Sequence, residues 1–214
     1  MDHTDSQPLT LRRILLVIAT GVGAGFLSGL FGVGGGLVIV PALMVVLGMD
    51  QRRASSTSLA AIIVTDAVGS GTYALHGEVS WAGGALLVVG ALAGSQIGVW
   101  LLRCLPAPSL PWILIGFTLF VIVSQYLQVP TREGTVSLTP ASCALLILVG
   151  VCAGILSGLV GVGGGSVIVP GMELAFGAGY LIARGTSLLV MIPTGIAGTV
   201  TNLRHRMVDL RVGL

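Results

Sequence analysis

Apolar residues occur along this chain in long uninterrupted runs, not in the short alternating patterns of a soluble domain. Six runs, at residues 14–33, 54–75, 82–102, 110–129, 141–160 and 186–203, are each close to the ~20 residues that cross a bilayer core as a helix. Two further runs, at residues 37–49 and 167–178, are shorter and are predicted to be half-length helices. The pattern predicts an all-α, polytopic membrane helix bundle.

The chain also contains an internal duplication with an offset of 129 residues. Residues 25–41 read GFLSGLFGVGGGLVIVP and residues 154–170 read GILSGLVGVGGGSVIVP, so 14 of 17 positions are identical. We therefore divide the chain into a first membrane repeat at residues 1–129 and a second at residues 130–214. Counterparts of the third and fourth long runs would follow residue 209, so the second repeat is expected to be incomplete. Repeats built around glycine-interrupted helices are typical of transporters.

Composition supports the membrane assignment. The chain is 54% hydrophobic and 8% charged, with a mean hydropathy of +1.03, which is more apolar surface than a soluble domain of this length can bury. The basic flank and first apolar run resemble a signal peptide, but the internal counterpart around Gly154 cannot be a cleaved leader. Cys104, Cys143 and Cys152 lack metal-ligand spacing and are interpreted as small intramembrane residues. No metal or other cofactor is expected.

The distribution of arginines predicts the topology, because all ten cationic side chains are arginines. If each GVGGG segment and its half-helix make a full crossing, the second repeat is inverted and the arginines divide eight to two between the two sides. If each segment is a re-entrant loop, they divide six to four. The positive-inside rule favours the uneven division. Inverted repeats in the cell membrane, with a cytoplasmic N-terminus, are therefore predicted.

Glycine occurs in two arrangements with different expected roles. Glycines spaced by four residues form smooth stripes that let helix backbones pack closely in lipid. The two GVGGG breaks instead expose the N–H groups and the positive dipole end of the helix that follows, which favours anion binding. The alternative is that these breaks only form tight hairpins. The stripes are Gly21, Gly25, Gly29, Gly90, Gly94, Gly98, Gly150, Gly154 and Gly158, and the predicted substrate-binding glycines are Gly34, Gly35, Gly36, Gly163, Gly164 and Gly165.

Polar side chains within the apolar runs are further candidates. Thr57 and Ser58, with their counterparts Thr186 and Ser187, are predicted to begin the long helices, where hydroxyls either cap the N-terminus or donate to a bound oxyanion. Asp66 falls near the middle of a predicted span and should face the interior of the bundle. It is interpreted either as a proton-coupling carboxylate or as an acid that is kept protonated or hydrogen-bonded.

The glycine segments do not indicate an enzyme. No Lys-Ser or Lys-Thr pair follows GVGGG, as a phosphate-binding loop requires. The LSG triplet lacks the glycine spacing of a serine hydrolase, and both copies carry the same serine, which a single nucleophile would not require. The expected partners are a small anion and the lipid bilayer, with no nucleic acid, and association into a homo-oligomer stays open.

Taken together, these motifs resemble those of the sulfite exporter TauE/SafE family of integral membrane anion transporters. The resemblance rests on the doubled GLxGVGGGxxxVP element at residues 29–41 and 158–170 and on the Thr-Ser-Leu triplets at 57–59 and 186–188. It implies transport, commonly export, of sulfite, sulfoacetate and related sulfur-containing oxyanions or organosulfonates. The second hypothesis is a truncated paralogue or assembly partner that does not transport.

Overall fold

A computed structural model describes residues 18–19, 21–23, 25–26, 29–30, 35–106, 109–127 and 140–204. Four of the helices in these ranges are long and apolar enough to cross a membrane, and no described residue is in a strand, so the predicted all-α membrane bundle is confirmed. The described helices are α1 (Gly36–Leu47), α2 (Gln51–Leu75), α3 (Trp81–Cys104), α4 (Leu110–Leu127), α5 (Pro140–Val160), α6 (Gly165–Phe176) and α7 (Tyr180–Arg204). The four that are long and apolar enough to cross a membrane are α2, α3, α5 and α7.

The two predicted half-helices are present as α1 and α6, each 12 residues long. Both contain a proline and both end at a left-handed glycine, Gly48 or Gly177. Twelve helical residues rise only about 18 Å, so neither helix crosses a bilayer core alone. The bounds of α6 and α7 are those of α1 and α2 shifted by 129 residues, as the sequence duplication would place them.

Both long helices that follow a half-helix begin earlier than predicted. The carboxylate of Asp50 accepts a hydrogen bond from the N–H of Arg52 at 3.3 Å and caps α2, which begins at Gln51. Hydropathy did not reveal this start because the first turn is polar, and Arg184 likewise interrupts the apolar pattern in the first turns of α7. The prediction that four hydroxyl residues begin these helices is therefore wrong, and the capping alternative for them is wrong with it. All four lie about two turns inside the helices: Thr57, Ser58, Thr186 and Ser187.

A close backbone contact joins α3 to α5 along two of the predicted glycine stripes. A Cβ added to Gly94 would overlap the carbonyl oxygen of Val151, and the same overlap recurs one turn away in each direction along both helices. Because the contacting residues advance together along the two helices, α3 and α5 run parallel. The predicted packing role is observed for the six glycines of this contact, Gly90, Gly94, Gly98, Gly150, Gly154 and Gly158.

The repeat-related helices α2 and α7 run in opposite directions. Leu59 of α2 lies 3.1 Å from a Cβ added to Gly198, whereas Leu188, earlier in α7, lies 2.9 Å from a Cβ added to Gly69, later in α2. The contacts therefore ascend one helix while they descend the other. Antiparallel orientation of equivalent helices is the relationship that inverted repeats require.

These directions define two ends of the bundle. End A contains Gln51, Cys104, Val160 and Arg204, and end B contains Leu75, Trp81, Pro140 and Tyr180. The path of α6 follows from two contacts along α5, since a Cβ added to Gly164 would lie 3.1 Å from Cβ of Ala153, and one on Gly171 would lie 2.7 Å from Val149. The second break thus leaves α5 at end A, and α6 returns the chain to end B.

The first break follows the opposite path. The hydroxyl of Tyr73 donates to the carbonyl of Gly29 at 3.0 Å, and the guanidinium of Arg184 donates to the carbonyl of Leu30 at 2.8 Å, so the chain enters the first break at end B. From Gly36, α1 leads to the start of α2 at end A. Each break with its half-helix therefore returns toward the end at which the preceding helix began, which is the geometry that full crossings require.

Candidate functional site

The two glycine breaks meet inside the bundle. A Cβ added to Gly36, the first residue of α1, would overlap the Cα of Val162 and lie 2.5 Å from the carbonyl oxygen of Gly161. Only a residue without a side chain allows the first break to approach the second this closely. The N-termini of α1 and α6 consequently lie near each other, although the two helices lead to opposite ends.

The backbone of the second break uses conformations that favour glycine. Gly161 has a φ of 74° and Gly163 a φ of 83°, in the left-handed region that side chains with a Cβ rarely adopt. Gly164 then returns to a helical conformation and serves as the N-cap of α6, with no side-chain cap among the described residues. The first N–H groups of α6 therefore face the space beyond its N-terminus without a side-chain cap.

Among the described residues, both half-helices leave their first N–H groups outside the helical hydrogen-bond ladder. In α1 the ladder begins with the N–H groups of Val38 and Ile39, which donate to the Gly35 carbonyl at 3.0 and 2.9 Å. In α6 it begins with Val167 and Ile168, which donate to the Gly164 carbonyl at 3.1 and 3.0 Å. The two earlier N–H groups of each helix point beyond its N-terminus, where a helix dipole favours negative charge. We call the space that these two N-termini share the seat.

Hydroxyl groups of α2 hold the second break in place. Ser55 Oγ donates to the carbonyl of Val160 at 2.8 Å, and the single hydrogen of Ser58 Oγ is within reach of two carbonyls, that of Ser55, at 2.9 Å, and that of Gly161. The carbonyls of Val160 and Gly161 lie where α5 ends and have no continuing helix to accept from, so the serines provide the missing donors. Ser58, a predicted substrate ligand, therefore lies at the break and positions its backbone.

The other predicted site residues are distributed over a larger region. Thr186 Oγ1 accepts a hydrogen bond from the N–H of Ser80 at 2.9 Å, which fixes the start of α3 at end B, and Ser187 Oγ donates to the Arg184 carbonyl at 2.7 Å. Thr57 is fully buried on α2, and Asp66 is fully buried on the same helix about two turns beyond Ser58. The structure brings Gly35, Gly36, Gly163, Gly164 and Gly165 to the seat, while Gly34 lies outside the described residues.

Several polar residues that the sequence analysis did not select are buried without a hydrogen-bond partner among the described residues. Ser166, the second residue of α6, is 1% exposed, and its hydroxyl has no such partner. The amide of Asn202 is fully buried, and neither its oxygen nor its nitrogen has one. The hydroxyls of Ser56 and Thr199 share this property. A signal for Ser166 existed in the sequence, because it is one of only three differences between the duplicated 17-residue segments.

The contact register places Asn202 at the level of the second break. Gly198 lies against Leu59, and the two helices are antiparallel, so Asn202 is at the level of the first two turns of α2, where Ser56 lies. Thr199 is one turn before Asn202 on the same face of α7. Buried polar groups without partners are costly in an apolar interior. Their concentration here marks a buried polar region beside the second break.

The two breaks differ in charge at their entrances. Arg184 in the second repeat occupies the position equivalent to Ser55 in the first. Ser55 donates to the Val160 carbonyl, just before the second break, and Arg184 donates to the Leu30 carbonyl, just before the first break. The Arg184 guanidinium also lies 5.0 Å from the ring centroid of Tyr180 and interacts electrostatically with Glu173. The entrance at end B thus has a cation, whereas the entrance at end A has neutral hydroxyls.

The seat is closed to both ends in this conformation. Gly35, Gly36 and all residues from 161 to 166 are buried. Two hollows of about 450 and 610 Å³ lie elsewhere, one between α1 and α4 and one between α2 and residues 25–30, and both are apolar and open to the outside of the bundle. Among the described residues there is no group of three or more His, Cys, Asp or Glu side chains that could hold a metal ion.

Comparisons with known proteins identify the family. The profile "Sulfite exporter TauE/SafE" matches residues 2–125 and 145–214. A probable membrane transporter protein of Haemophilus influenzae is 31% identical over 86% of this chain and 72% of its own length, and YunE of Bacillus subtilis, also named a probable membrane transporter protein, is 28% identical over 88% and 78%. No solved structure matches the chain. The protein therefore belongs to the sulfite exporter TauE/SafE family of membrane transporters.

Proposed function

We propose that this protein is a secondary transporter, and not an enzyme, that exports small sulfur-containing oxyanions or organosulfonates such as sulfite or sulfoacetate across the cell membrane. The observation that carries the proposal is the contact between the two breaks, Gly36 against Gly161 and Val162. It brings two helix N-termini to one buried place, and an oxyanion there can accept hydrogen bonds from their N–H groups. The sulfur chemistry of the substrate comes from the family.

Alternating exposure of the seat follows from its opposite entrances. The first break is entered from end B and the second from end A, so small movements at either one open the seat to a different side. We infer that two halves of the bundle rock around the seat. The polar region that contains Asn202 lines the route to end A, and Arg184 attracts anions at end B.

End A is assigned to the cytoplasm. Among the described arginines, Arg52, Arg53, Arg103 and Arg204 lie at end A, and Arg184 lies at end B. The positive-inside rule places the arginine-rich end in the cytoplasm. Gly25 lies beside Thr65 and Gly29 beside Tyr73, so the chain before the first break runs toward end B, and this assignment gives a cytoplasmic N-terminus. Asp66, buried on α2 near the seat, is the proposed proton-coupling carboxylate.

The test is flux of labelled sulfite and sulfoacetate in vesicles with purified protein. Gly35→Leu and Gly164→Leu place side chains at the N-caps of α1 and α6 and should abolish flux. Gly71→Leu is the matched control, because it introduces the same side chain on α2 where nothing lies within 4 Å. Flux by both N-cap variants at the rate of the control would refute binding at the seat.

A non-transporting membrane paralogue or assembly partner is the alternative function. It predicts no flux of any sulfur oxyanion by the wild-type chain, even when the protein is folded and monodisperse. The geometry of the seat favours transport over this alternative. Glycines that served only to pack helices together would not need to bring two helix N-termini, with N–H groups outside the ladder, to one place.

A further inference from the structure

Ser166 distinguishes the two halves of the seat. It is the second residue of α6, is almost completely buried, and its hydroxyl has no hydrogen-bond partner among the described residues. The equivalent residue of α1 is Leu37, which packs against the apolar cluster around Val40 and Leu159. One half-helix therefore offers a side-chain hydroxyl close to its N-terminus, and the other offers only backbone groups.

The hydroxyl of Ser166 is directed toward the seat by helix geometry. Every Cα–Cβ bond of an α-helix tilts toward its N-terminus, so a side chain in the first turn leans over that end. The N–H groups of Gly165 and Ser166 lie on the same side, because the ladder of α6 begins only at Val167. A ligand at this terminus can therefore receive two backbone donors and one hydroxyl.

All of these donors are neutral, and no cationic side chain belongs to either half-helix. The sequence has no lysine, and no arginine occurs between Arg13 and Arg52 or between Arg132 and Arg184. Two described arginines at the ends of the bundle are used at helix ends, since Arg52 donates to the Leu105 carbonyl and Arg184 to the Leu30 carbonyl. The positive potential that the two half-helices themselves bring to the seat therefore comes from their dipoles.

The strength of these dipoles sets the charge that the seat can neutralise. A helix N-terminus is equivalent to roughly +0.5 elementary charge, so two converging termini supply about one unit. A singly charged oxyanion is thereby balanced, whereas a dianion keeps about one uncompensated charge in a buried, apolar place, where desolvation is costly. Two acids lie on helices at the seat, Asp66, which is buried on α2, and Glu173, which is partly buried on α6, and neither adds positive charge.

We propose that the seat selects oxyanions by charge: it takes singly charged sulfur oxyanions, namely hydrogensulfite and sulfonates with an uncharged substituent, in preference to dianions, and Ser166 donates its hydroxyl hydrogen to one of their oxygens. This inference rests on the proposed function and narrows its substrate class. It makes methanesulfonate a better ligand than sulfate. Of the two substrates named under the proposed function, it favours hydrogensulfite over sulfoacetate, which has a second charge on its carboxylate.

The test uses the full chain in vesicles and compares uptake of methanesulfonate, sulfoacetate, sulfate and sulfite. Methanesulfonate should be transported with at least a tenfold lower KM than sulfate, the order of difference that about one uncompensated charge produces. Flux of sulfite relative to methanesulfonate should rise as the pH falls from mildly alkaline to mildly acidic, because sulfite gains a proton and methanesulfonate keeps its charge. A change in the protonation of Asp66 would affect both fluxes alike, so the ratio of sulfite flux to methanesulfonate flux is independent of it.

Ser166→Ala tests the residue directly. It should raise the KM for methanesulfonate about tenfold, as expected for loss of a hydrogen bond to a charged group, and Ser166→Thr should restore it. Ser95→Ala is the matched control, since Ser95 is equally buried and its hydroxyl already donates to the Leu92 carbonyl at 2.9 Å.

Three outcomes would overturn the inference. Equal KM values for sulfate and methanesulfonate would remove selection by charge, and an unchanged KM in Ser166→Ala would remove the hydroxyl from the site, while both leave the proposed transport function intact. Absence of flux for every anion by the folded wild-type protein would overturn the proposed function and this inference together.

Discussion

Gly36 of the first break packs directly against the backbone of Val162 in the second, with no side chain between them. Gly36→Ala should separate the two breaks, because the added methyl group meets backbone that cannot rotate away. We expect a loss of about 1–3 kcal/mol of stability from overpacking and a larger proportional loss of anion flux. Thermal unfolding in detergent and vesicle flux measure the two effects. Gly71→Ala, which adds a methyl group in open space, should leave flux unchanged, and wild-type flux in Gly36→Ala would contradict convergence of the breaks.

Ser58→Ala should loosen the second break without touching the N-terminus of α6. The change leaves the Gly161 carbonyl without the hydroxyl that donates to it, and an unsatisfied buried acceptor costs about 1–3 kcal/mol. Hydrogen exchange at the backbone of residues 161–164 should increase, and unfolding should occur at lower temperature. Ser70→Ala is the control, because Ser70 is similarly buried but donates only to Ala67 of its own helix. Equal effects of the two substitutions would remove the anchoring role of Ser58.

Asp66→Asn tests proton coupling separately from substrate binding. Asparagine keeps the size and polarity of the side chain but cannot bind and release a proton. We expect exchange of substrate between the two sides of a vesicle to persist, while uptake driven by an imposed proton gradient is lost. Loss of both activities would assign Asp66 to the structure of the bundle, and gradient-driven uptake at the wild-type rate would exclude it from coupling.

Asn202→Leu tests whether the buried polar region beside the second break lines the proposed route to end A. Leucine has nearly the same shape and removes a buried amide that has no partner among the described residues, so the stability should be unchanged or higher. Flux should nevertheless fall severalfold, because the route to end A becomes apolar. Thr194→Val is the matched control on α7, since Thr194 is buried and donates to Val190 of its own helix at 3.0 Å. Unchanged flux in Asn202→Leu would show that the amide does not line the route.

Two native cysteines offer a test of topology. Cys104 lies at the end of α3 at end A, and Cys143 lies in the first turn of α5 at end B. With Cys152 replaced by alanine, single-cysteine variants treated with a membrane-impermeant thiol reagent should react from opposite sides, Cys104 from the cytoplasm and Cys143 from outside. Reaction of both cysteines from one side would overturn the assignment of the two ends.

Hydropathy predicted the elements of this fold well, because a bilayer requires long apolar helices and each run has a clear length. The half-helices predicted at residues 37–49 and 167–178 are observed as Gly36–Leu47 and Gly165–Phe176. The starts of α2 and α7 were missed because their first turns are polar or charged, as Asp50 and Arg52 show for α2. Glycine spacing indicated that helices pack closely, but it does not show which helix is the partner or whether the two helices run parallel. The parallel contact of α3 with α5 could therefore be identified only from the structure.

The candidate site was predicted less completely. Identity between the duplicated segments directed attention to the shared glycines, and it directed attention away from Ser166, where the copies differ. The Thr186 hydroxyl was a candidate ligand, but the structure uses it as an acceptor for the N–H of Ser80, and a sequence contains no information on which neighbour reaches a hydroxyl first. Asn202 is likewise polar at a helix end in the sequence, and only the packing of α7 against α2 reveals that it is fully buried.

The parallel contact of α3 with α5 joins helices from the two duplicated segments. α3 belongs to the first copy of the duplicated segment and α5 to the second, yet a Cβ on any of their six facing glycines would overlap the partner's backbone. Two helices in such contact move as one body. In the rocking motion proposed above, α3 and α5 would therefore belong to the same moving part, so the moving parts would differ from the two duplicated segments.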